Sequence, residues 1–276
     1  MMDDTSHTSQ RQLPLLPPPT PPPAPAPALV ELPPLPTAWD DPYWRPTLAY
    51  IEALTGQNEH PEDAPLCVQT FDDDSRPGHK KDPAKARTLH GTFRGLLPKL
   101  VNANQHGAGI FVTVNNVTAG KPRTKANIPE ARAWWVDVDV DKWSAEKRAA
   151  FNLDRFIEDL PLPPTMVVET KNGLHAYWTA NESVTPEACE QGNRAIVARV
   201  DGDPAAVDYA RVLRPPGFFH LKNPAAPFLV KFCGGRPVTR TLAEMNAAFP
   251  APAPAPAPRA KAPTPAADFF KGTAAA

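Results

Sequence analysis

Residues 133–140 read AWWVDVDV, and the fold turns on how this stretch is read. Aromatic and β-branched residues give way to valines alternating with two acids, the pattern of a β-strand. Successive side chains on a strand point to opposite faces. Asp137 and Asp139 therefore share one face, and Val136, Val138 and Val140 share the other. Two residues of strand separate the acidic Cα atoms by about 6.6 Å. Carboxylates that close repel in a dry site, and a hydrophobic strand has little structural reason to carry them. Magnesium or manganese, which prefer oxygen ligands, relieve that repulsion. Two such ions are a standard device for nucleotidyl transfer. The competing account is an exposed strand whose charges discourage edge pairing, but Trp134 and Trp135 argue for a central strand. Asp141 continues the acidic face at the strand's end.

Downstream, residues 144–160 form an expected helix with Ser144 as its cap. Residues 165–170 and 174–179 form two strands around Asn172-Gly173, a strong hairpin signal. His175 follows that turn with Tyr177 on the same face, and a cationic or donor imidazole there suits a nucleotide phosphate. Residues 186–200 read as a helix with proline in its first turn. Residues 201–223 are irregular, with Asp203 and Asp208 as candidates for a third metal-binding carboxylate. In the same stretch Arg211, Arg214 and Lys222 are candidate phosphate ligands. A strand at 228–232 and a helix at 242–249 follow.

Upstream, residues 45–54 read as a short helix closed by Gly56. Residues 67–71 read as a strand running into Asp72, Asp73 and Asp74. Apolar residues from Leu89 to Val101 recur at helical spacing, so 83–103 reads as one helix, broken or kinked at Pro98. Residues 110–114 are a β-branched strand and 115–127 a polar, basic loop. Helices and hairpins mix without strict alternation, which predicts an α+β fold, a largely antiparallel sheet covered by helices.

Half of the 38 prolines lie in residues 13–36 and 250–265, which read as low-complexity segments. The expected division is a proline-rich tail over 1–38, a globular domain over 39–249 and a proline- and alanine-rich tail over 250–276. No apolar run is long enough to span a membrane, and the polar, acidic start is not a signal peptide. Three widely spaced cysteines support no disulfide framework and no zinc site, so a reducing, cytoplasmic setting is expected. The net charge of −1 speaks against a strong general attraction to nucleic acid. The charges are segregated, however, with bases at 80–99, 121–125 and 211–222 and acids at 72–74 and 137–141.

The ordered set VDVDVD (136–141), GLH (173–175) and GDPAAVDYARVLRPPGFFHLK (202–222) resembles the archaeo-eukaryotic primase superfamily, in particular its plasmid and phage RepB-like branch. The resemblance runs from about Leu66 to Phe232. It implies an RRM-like antiparallel catalytic sheet with helices, joined to a smaller N-terminal α/β subunit, with the active site between them. It implies primer synthesis on a single-stranded DNA template from nucleoside triphosphates, with magnesium or manganese. Asp137 and Asp139 match the family's first acidic motif, and His175 its triphosphate-contacting histidine. Asp203, with Asp208 second, matches the third acid, and Arg211, Arg214 and Lys222 match basic residues near phosphates or template. A replicative helicase or another replication protein is an expected partner. The chain departs from the cellular primases in lacking a zinc module.

Two rival readings follow from the same residues. One is a metal-dependent replication-initiator nuclease, but no His-x-His pair exists. The other is a catalytically silent nucleic-acid-binding module that keeps the fold. Convergence of Asp137, Asp139 and Asp203 with His175 in one cleft separates the enzyme from the silent module.

Overall fold

The computed structural model describes residues 30–236 and 238–251. In chain order these form helix α1 (Arg45–Thr55), strands β1 (Pro65–Asp72) and β2 (Arg87–Thr92), helix α2 (Phe93–Gln105), and strands β3 (Ala108–Thr113) and β4 (Ala131–Asp139). Short helices α3 (Ala145–Ala149) and α4 (Leu153–Glu158) lead to strands β5 (Met166–Thr170) and β6 (Gly173–Val184) and helix α5 (Pro186–Val200). Strands β7 (Val212–Leu213), β8 (Phe219–His220), β9 (Phe228–Leu229) and β10 (Lys231–Gly235) precede helix α6 (Leu242–Ala248).

Two four-stranded sheets, in the orders β2-β1-β3-β7 and β10-β5-β6-β4, carry the fold, and β8 with β9 makes a small third. Every strand pair in these sheets is antiparallel, so the fold is α+β. Helix α2 packs on β3 and helix α5 on β4. One apolar core joins the sheets, with Trp44, Trp134, Trp135 and Trp178 among its largest buried side chains. Among the described residues no helix is long and apolar enough to cross a membrane.

Strand β4 is buried, as its tryptophans predict, but it is an edge strand rather than a central one. Its free edge is covered instead of paired. Asn193 Oδ1 of α5 accepts the Trp135 N–H at 3.0 Å, Cys189 Sγ donates to the Ala133 carbonyl at 3.3 Å, and the Asp203 N–H donates to the Asp137 carbonyl at 2.7 Å. A helix and a loop thus satisfy the backbone groups that an unprotected edge leaves open.

Several expected elements are divided differently. Residues 87–92 are a strand on β1, and the helix starts only at Phe93, where Thr92 Oγ1 accepts the Gly95 N–H at 3.1 Å. A threonine cap fixes the start of a helix more sharply than apolar spacing does. Pro98 lies inside α2, which runs on past it. The segment 144–160 is two helices, because Asn152 Oδ1 accepts the Arg155 N–H at 2.9 Å and caps a second one. The expected strand at 228–232 splits between two sheets at Val230, whose N–H and carbonyl bond Phe218 and Gly217 instead of a strand partner.

The hairpin turn is Lys171-Asn172, since Thr170 pairs with Gly173. Gly173 opens β6 with φ 150°, and a Cβ there would lie 1.9 Å from the Val138 carbonyl oxygen. Only glycine lets β6 approach β4 so closely at its start. The folded part also begins before residue 39: Leu35 is buried in the core, and the Trp44 indole donates to the Pro36 carbonyl at 3.2 Å. The rest of the first expected tail, residues 1–29, and residues 252–276 of the second lie outside the described residues.

Candidate active site

In the β4–β6 ladder Asp137 stands directly opposite His175. Opposed residues of an antiparallel pair project from the same face, and His175 Nε2 lies 3.7 Å from Asp137 Oδ1. Asp139, two residues on, faces the same way. Opposite them stand Phe111 of β3, Asp73 at the end of β1, and Arg211 and Arg214 flanking β7. With His220 and Lys222 these residues line a cleft of about 270 Å³ between the two large sheets.

Asp137 is bracketed by His175 and by the Arg211 guanidinium at 3.9 Å. Burial holds the Asp139 carboxyl above the usual carboxylate range, and the charges of Asp137 and Asp141 add to that. The Asp141 N–H and Lys142 oppose the rise without cancelling it. Asp139 therefore gains from any cation brought to the cleft.

Asp203 is tied to β4 through its backbone, but its carboxylate turns to Lys142 Nζ at 2.9 Å and accepts the Ala205 N–H at 3.0 Å. Burial raises its pKa, and the Lys142 and Ala205 bonds outweigh it, leaving the group below the ordinary carboxylate range. Lys142 also reaches Asp139 at 3.9 Å, and its bond to Asp203 holds the amine above its usual pKa. Asp208 does not line the cleft. It pairs with Lys125 at 3.1 Å and accepts the Ala210 N–H at 2.7 Å, so its charge is spent on a turn outside the cleft.

The two arginines differ. Arg211 is a third exposed, bonds the Ala205 carbonyl at 3.2 Å and keeps its guanidinium at the cleft. Arg214 is buried, donates to Asp73 Oδ1 at 2.7 Å and lies 4.3 Å from the centre of the Phe111 ring. The other Asp73 oxygen accepts the Leu221 N–H at 2.7 Å. This arginine holds the cleft wall together. Lys222 lines the cleft, and its carbonyl accepts the Ser75 N–H at 2.9 Å.

His175 is only 4 % exposed. Burial pulls its pKa down to about 4, with Asp137 resisting and Arg214 and Arg211 adding to the fall. Burial thus favours the neutral imidazole, which suits the expected donor role more than the cationic one. Its Nδ1 lies 3.5 Å from the Tyr177 hydroxyl.

Phe111, Lys142 and His220 were not singled out by sequence reasoning, and Asp73 was seen only as part of an acidic run. Strand alternation offers a signal for Asp73. Asp72 and Asp74 turn one way, to His79 and Arg76, and Asp73 turns the other, toward the cleft. Nothing in the sequence marks Lys142 or His220.

Among the described residues no group of three or more His, Cys, Asp or Glu is gathered closely enough to hold a metal ion. The third carboxylate expected there, Asp203, does not line the cleft and is engaged by Lys142, so Asp137, Asp139 and His175 converge without it. Asp137 and Asp139 remain as a hard-oxygen pair facing the cleft, each about one-fifth exposed. Magnesium is commonly held by one or two carboxylates with substrate phosphates and water completing its shell. Two carboxylates on one strand face, both reaching the cleft, are the donor set such an ion takes, so the pair fits it.

No curated protein matches the chain. Among solved structures, the archaeo-eukaryotic primase domain of the cyanophage S-2L primase-polymerase is similar, with a TM-score of 0.52 and 15% identity over 75% of this chain and 98% of that one. The catalytic domain of primase RepB′ in complex with initiator DNA has a TM-score of 0.48 and 16% identity over 73% of this chain and 92% of that one. The first likeness is one of fold. The model of the RepB DNA-primase N-terminal domain matches residues 92–230, just over half of the chain and most of the cleft's lining, though not Asp73, Ser75 and Lys81. The chain belongs to the RepB DNA-primase family.

Proposed function

We propose that this protein is a DNA-dependent nucleotidyltransferase, a primase that makes short primers on single-stranded DNA from nucleoside triphosphates, with Mg²⁺ or Mn²⁺. One observation carries the reading. In a chain of the RepB primase family, the cross-strand pair Asp137–His175 and the neighbouring Asp139 face a single cleft rimmed by Arg211 and Lys222.

Asp137 and Asp139 would hold the metal. When bound, it supplies charge neutralisation at the transferring phosphoryl group. The remaining work falls to this chain's side chains and is mainly positioning. His175, neutral and fixed by β6, donates a hydrogen bond to a phosphate oxygen without adding a charge beside Asp137. Arg211 offers a planar fork to phosphate oxygens from the opposite wall. Lys222 adds a point charge at the cleft. Asp203 acts one step back: its backbone fixes the edge of β4, and its carboxylate anchors Lys142 beside Asp139.

With a net charge of −1, the whole molecule does not steer DNA at long range. Template binding then depends on local cations at the cleft, and the natural setting is plasmid or phage replication in the cytoplasm, beside a helicase or other replication protein.

The test uses the full-length chain, circular single-stranded DNA and labelled nucleotides, with Mg²⁺, with Mn²⁺ and with chelator. Short products that require template, nucleotide and metal are expected. A folded protein that binds the DNA yet makes no product with either metal is the silent module instead.

A further inference from the structure

We propose that His220 is a second substrate-binding imidazole, which takes a phosphate oxygen at the wall of the cleft formed by β8, beside Lys222. The proposal rests on the primase reading for the source of that phosphate, and on the structure for the site itself.

His220 is 4 % exposed and lines the same cleft as Asp137 and His175. Among the described residues, neither of its ring nitrogens has a hydrogen-bond partner. His175, as deeply buried, lies close to both Asp137 and Tyr177. A buried polar group left without a partner lowers stability, and such groups are rare enough to call for a reason.

The reason is not local architecture. The backbone around His220 is fixed without help from the ring. Asn104 receives the Phe219 N–H at 2.8 Å and donates to the Phe219 carbonyl at 3.0 Å. The Leu221 N–H donates to Asp73 at 2.7 Å, and His220 itself pairs with Phe228 across the β8–β9 ladder. The chain on both sides is held, and the imidazole lines the cleft with both nitrogens buried and unpaired, so that a ligand reaches them only by displacing a neighbouring group.

The surroundings decide what the ring receives. Arg214, Lys222 and Lys171 are the cations acting on it, and Asp73 is the acid. Asp73 is already saturated by Arg214 and the Leu221 N–H. The local field is therefore positive and favours an anion. Burial, followed by Arg214, pulls the ring's pKa down, so it is neutral and presents one N–H donor. A neutral donor beside a lysine in a positively charged wall suits a phosphate oxygen. That oxygen belongs either to the incoming triphosphate or to a DNA phosphodiester.

The experiment compares the parent with H220F and H220Q, all full length. Phenylalanine matches the ring's shape and removes both unpartnered nitrogens. Its melting temperature should equal or exceed the parent's, because replacing an unpaired polar group by an apolar one of similar shape is neutral or stabilising. Affinity is then measured for a non-hydrolysable nucleoside triphosphate with Mn²⁺, and separately for labelled oligo-dT without nucleotide. H220F should weaken one of the two by about tenfold or more, the worth of one lost hydrogen bond. Loss in the triphosphate arm assigns a nucleotide phosphate, and loss in the oligo-dT arm assigns the DNA backbone. H220Q, which keeps a donor, should recover part of the loss.

H220F that is as stable as the parent and binds both probes equally well shows a packing residue and overturns the proposal. So does a parent that binds neither probe. If H220F fails to fold, H220Q and H220A decide: equal binding by both overturns the assignment, and loss confined to H220A supports it. Turnover separates the two readings. A parent that makes no primers while H220F still loses affinity ends the primase reading and leaves the site. A parent that makes primers while H220F binds normally ends the site alone.

Discussion

Arg211 and Arg214 stand three residues apart in sequence and on opposite sides of a line between binding and stability. Arg214 is buried against a buried Asp73, and removing it leaves that carboxylate uncompensated. Arg214→Ala should cost about 3–5 kcal/mol of stability, read by denaturant unfolding. Arg211 is partly exposed and makes one protein hydrogen bond, so Arg211→Ala should change stability by less than about 1 kcal/mol. It should instead weaken triphosphate binding by roughly tenfold, the worth of one charge-assisted bond. Equal loss of stability in both variants would show Arg211 to be structural too. The sequence does not distinguish the two arginines, because the partner that buries Arg214 lies 141 residues away. Asp137, Asp139 and His175 are different: strand alternation and a nearby turn are enough to read them. For the acids, Asp137→Asn and Asp139→Asn should each lower primer synthesis by about 100-fold or more, because several kcal/mol of transition-state stabilisation go with the metal. Mn²⁺ should raise the melting temperature of the parent by mass action and do so much less in either variant. Variants with parental activity and an unchanged Mn²⁺ response would remove the acids from the site.

Among the secondary-structure elements, Gly173 links chain geometry to the site. It begins β6, pairs with Asp139, and sits where a Cβ would meet the Val138 carbonyl. Gly173→Ala must push β6 away from β4 or twist the hairpin, and both motions separate His175 from Asp137. The expected cost is about 1–3 kcal/mol, that of forcing an extra methyl into a packed site, with a larger fall in primer synthesis than in stability. An alanine variant with parental activity would show that the two strands tolerate a slip at this point. Long periodic elements, such as β4 and α5, were legible because a full face of each is apolar. Boundaries were not, wherever a single side chain set them. Thr92 ends β2 and caps α2, and Asn152 caps α4, and apolar spacing runs through such positions without registering them. Edge position was equally hidden: β4 reads as central because it is buried, yet α5 and the Asp203 loop, not another strand, cover its edge.

Across the whole molecule, two features tie the sheets to conditions and to chain length. Leu35 is buried in the core, so a fragment beginning at residue 39 should be about 1.5–3 kcal/mol less stable than one beginning at residue 30, the transfer energy of one leucine; equal unfolding midpoints would put residues 30–38 outside the fold. The cleft's buried histidines set the response to acid. Well above pH 6.5 His175 is neutral in folded and unfolded chains alike and contributes no pH dependence. Its folded pKa is lowered by burial from 6.5 to about 4. As pH falls through that window the unfolded imidazole takes up a proton that the folded one refuses, so stability drops, by about 1.4 kcal/mol for each pH unit. His220, also held down by burial, acts in the same direction. Asp139, held up by burial, opposes the loss near the carboxylate range, where its folded form takes a proton first. Between pH 6.5 and pH 5 the histidines govern. Denaturant unfolding of the parent at pH 7 and pH 5 should show the loss, and His175→Gln, which cannot titrate, should shrink it by about 2 kcal/mol. The same variant should leave the remaining slope to His220, and the double variant with H220F should flatten it further. An identical pH 7 to pH 5 drop in parent and His175→Gln would show that His175 is solvated in the folded chain, and the picture of a neutral donor held against Asp137 would fall with it.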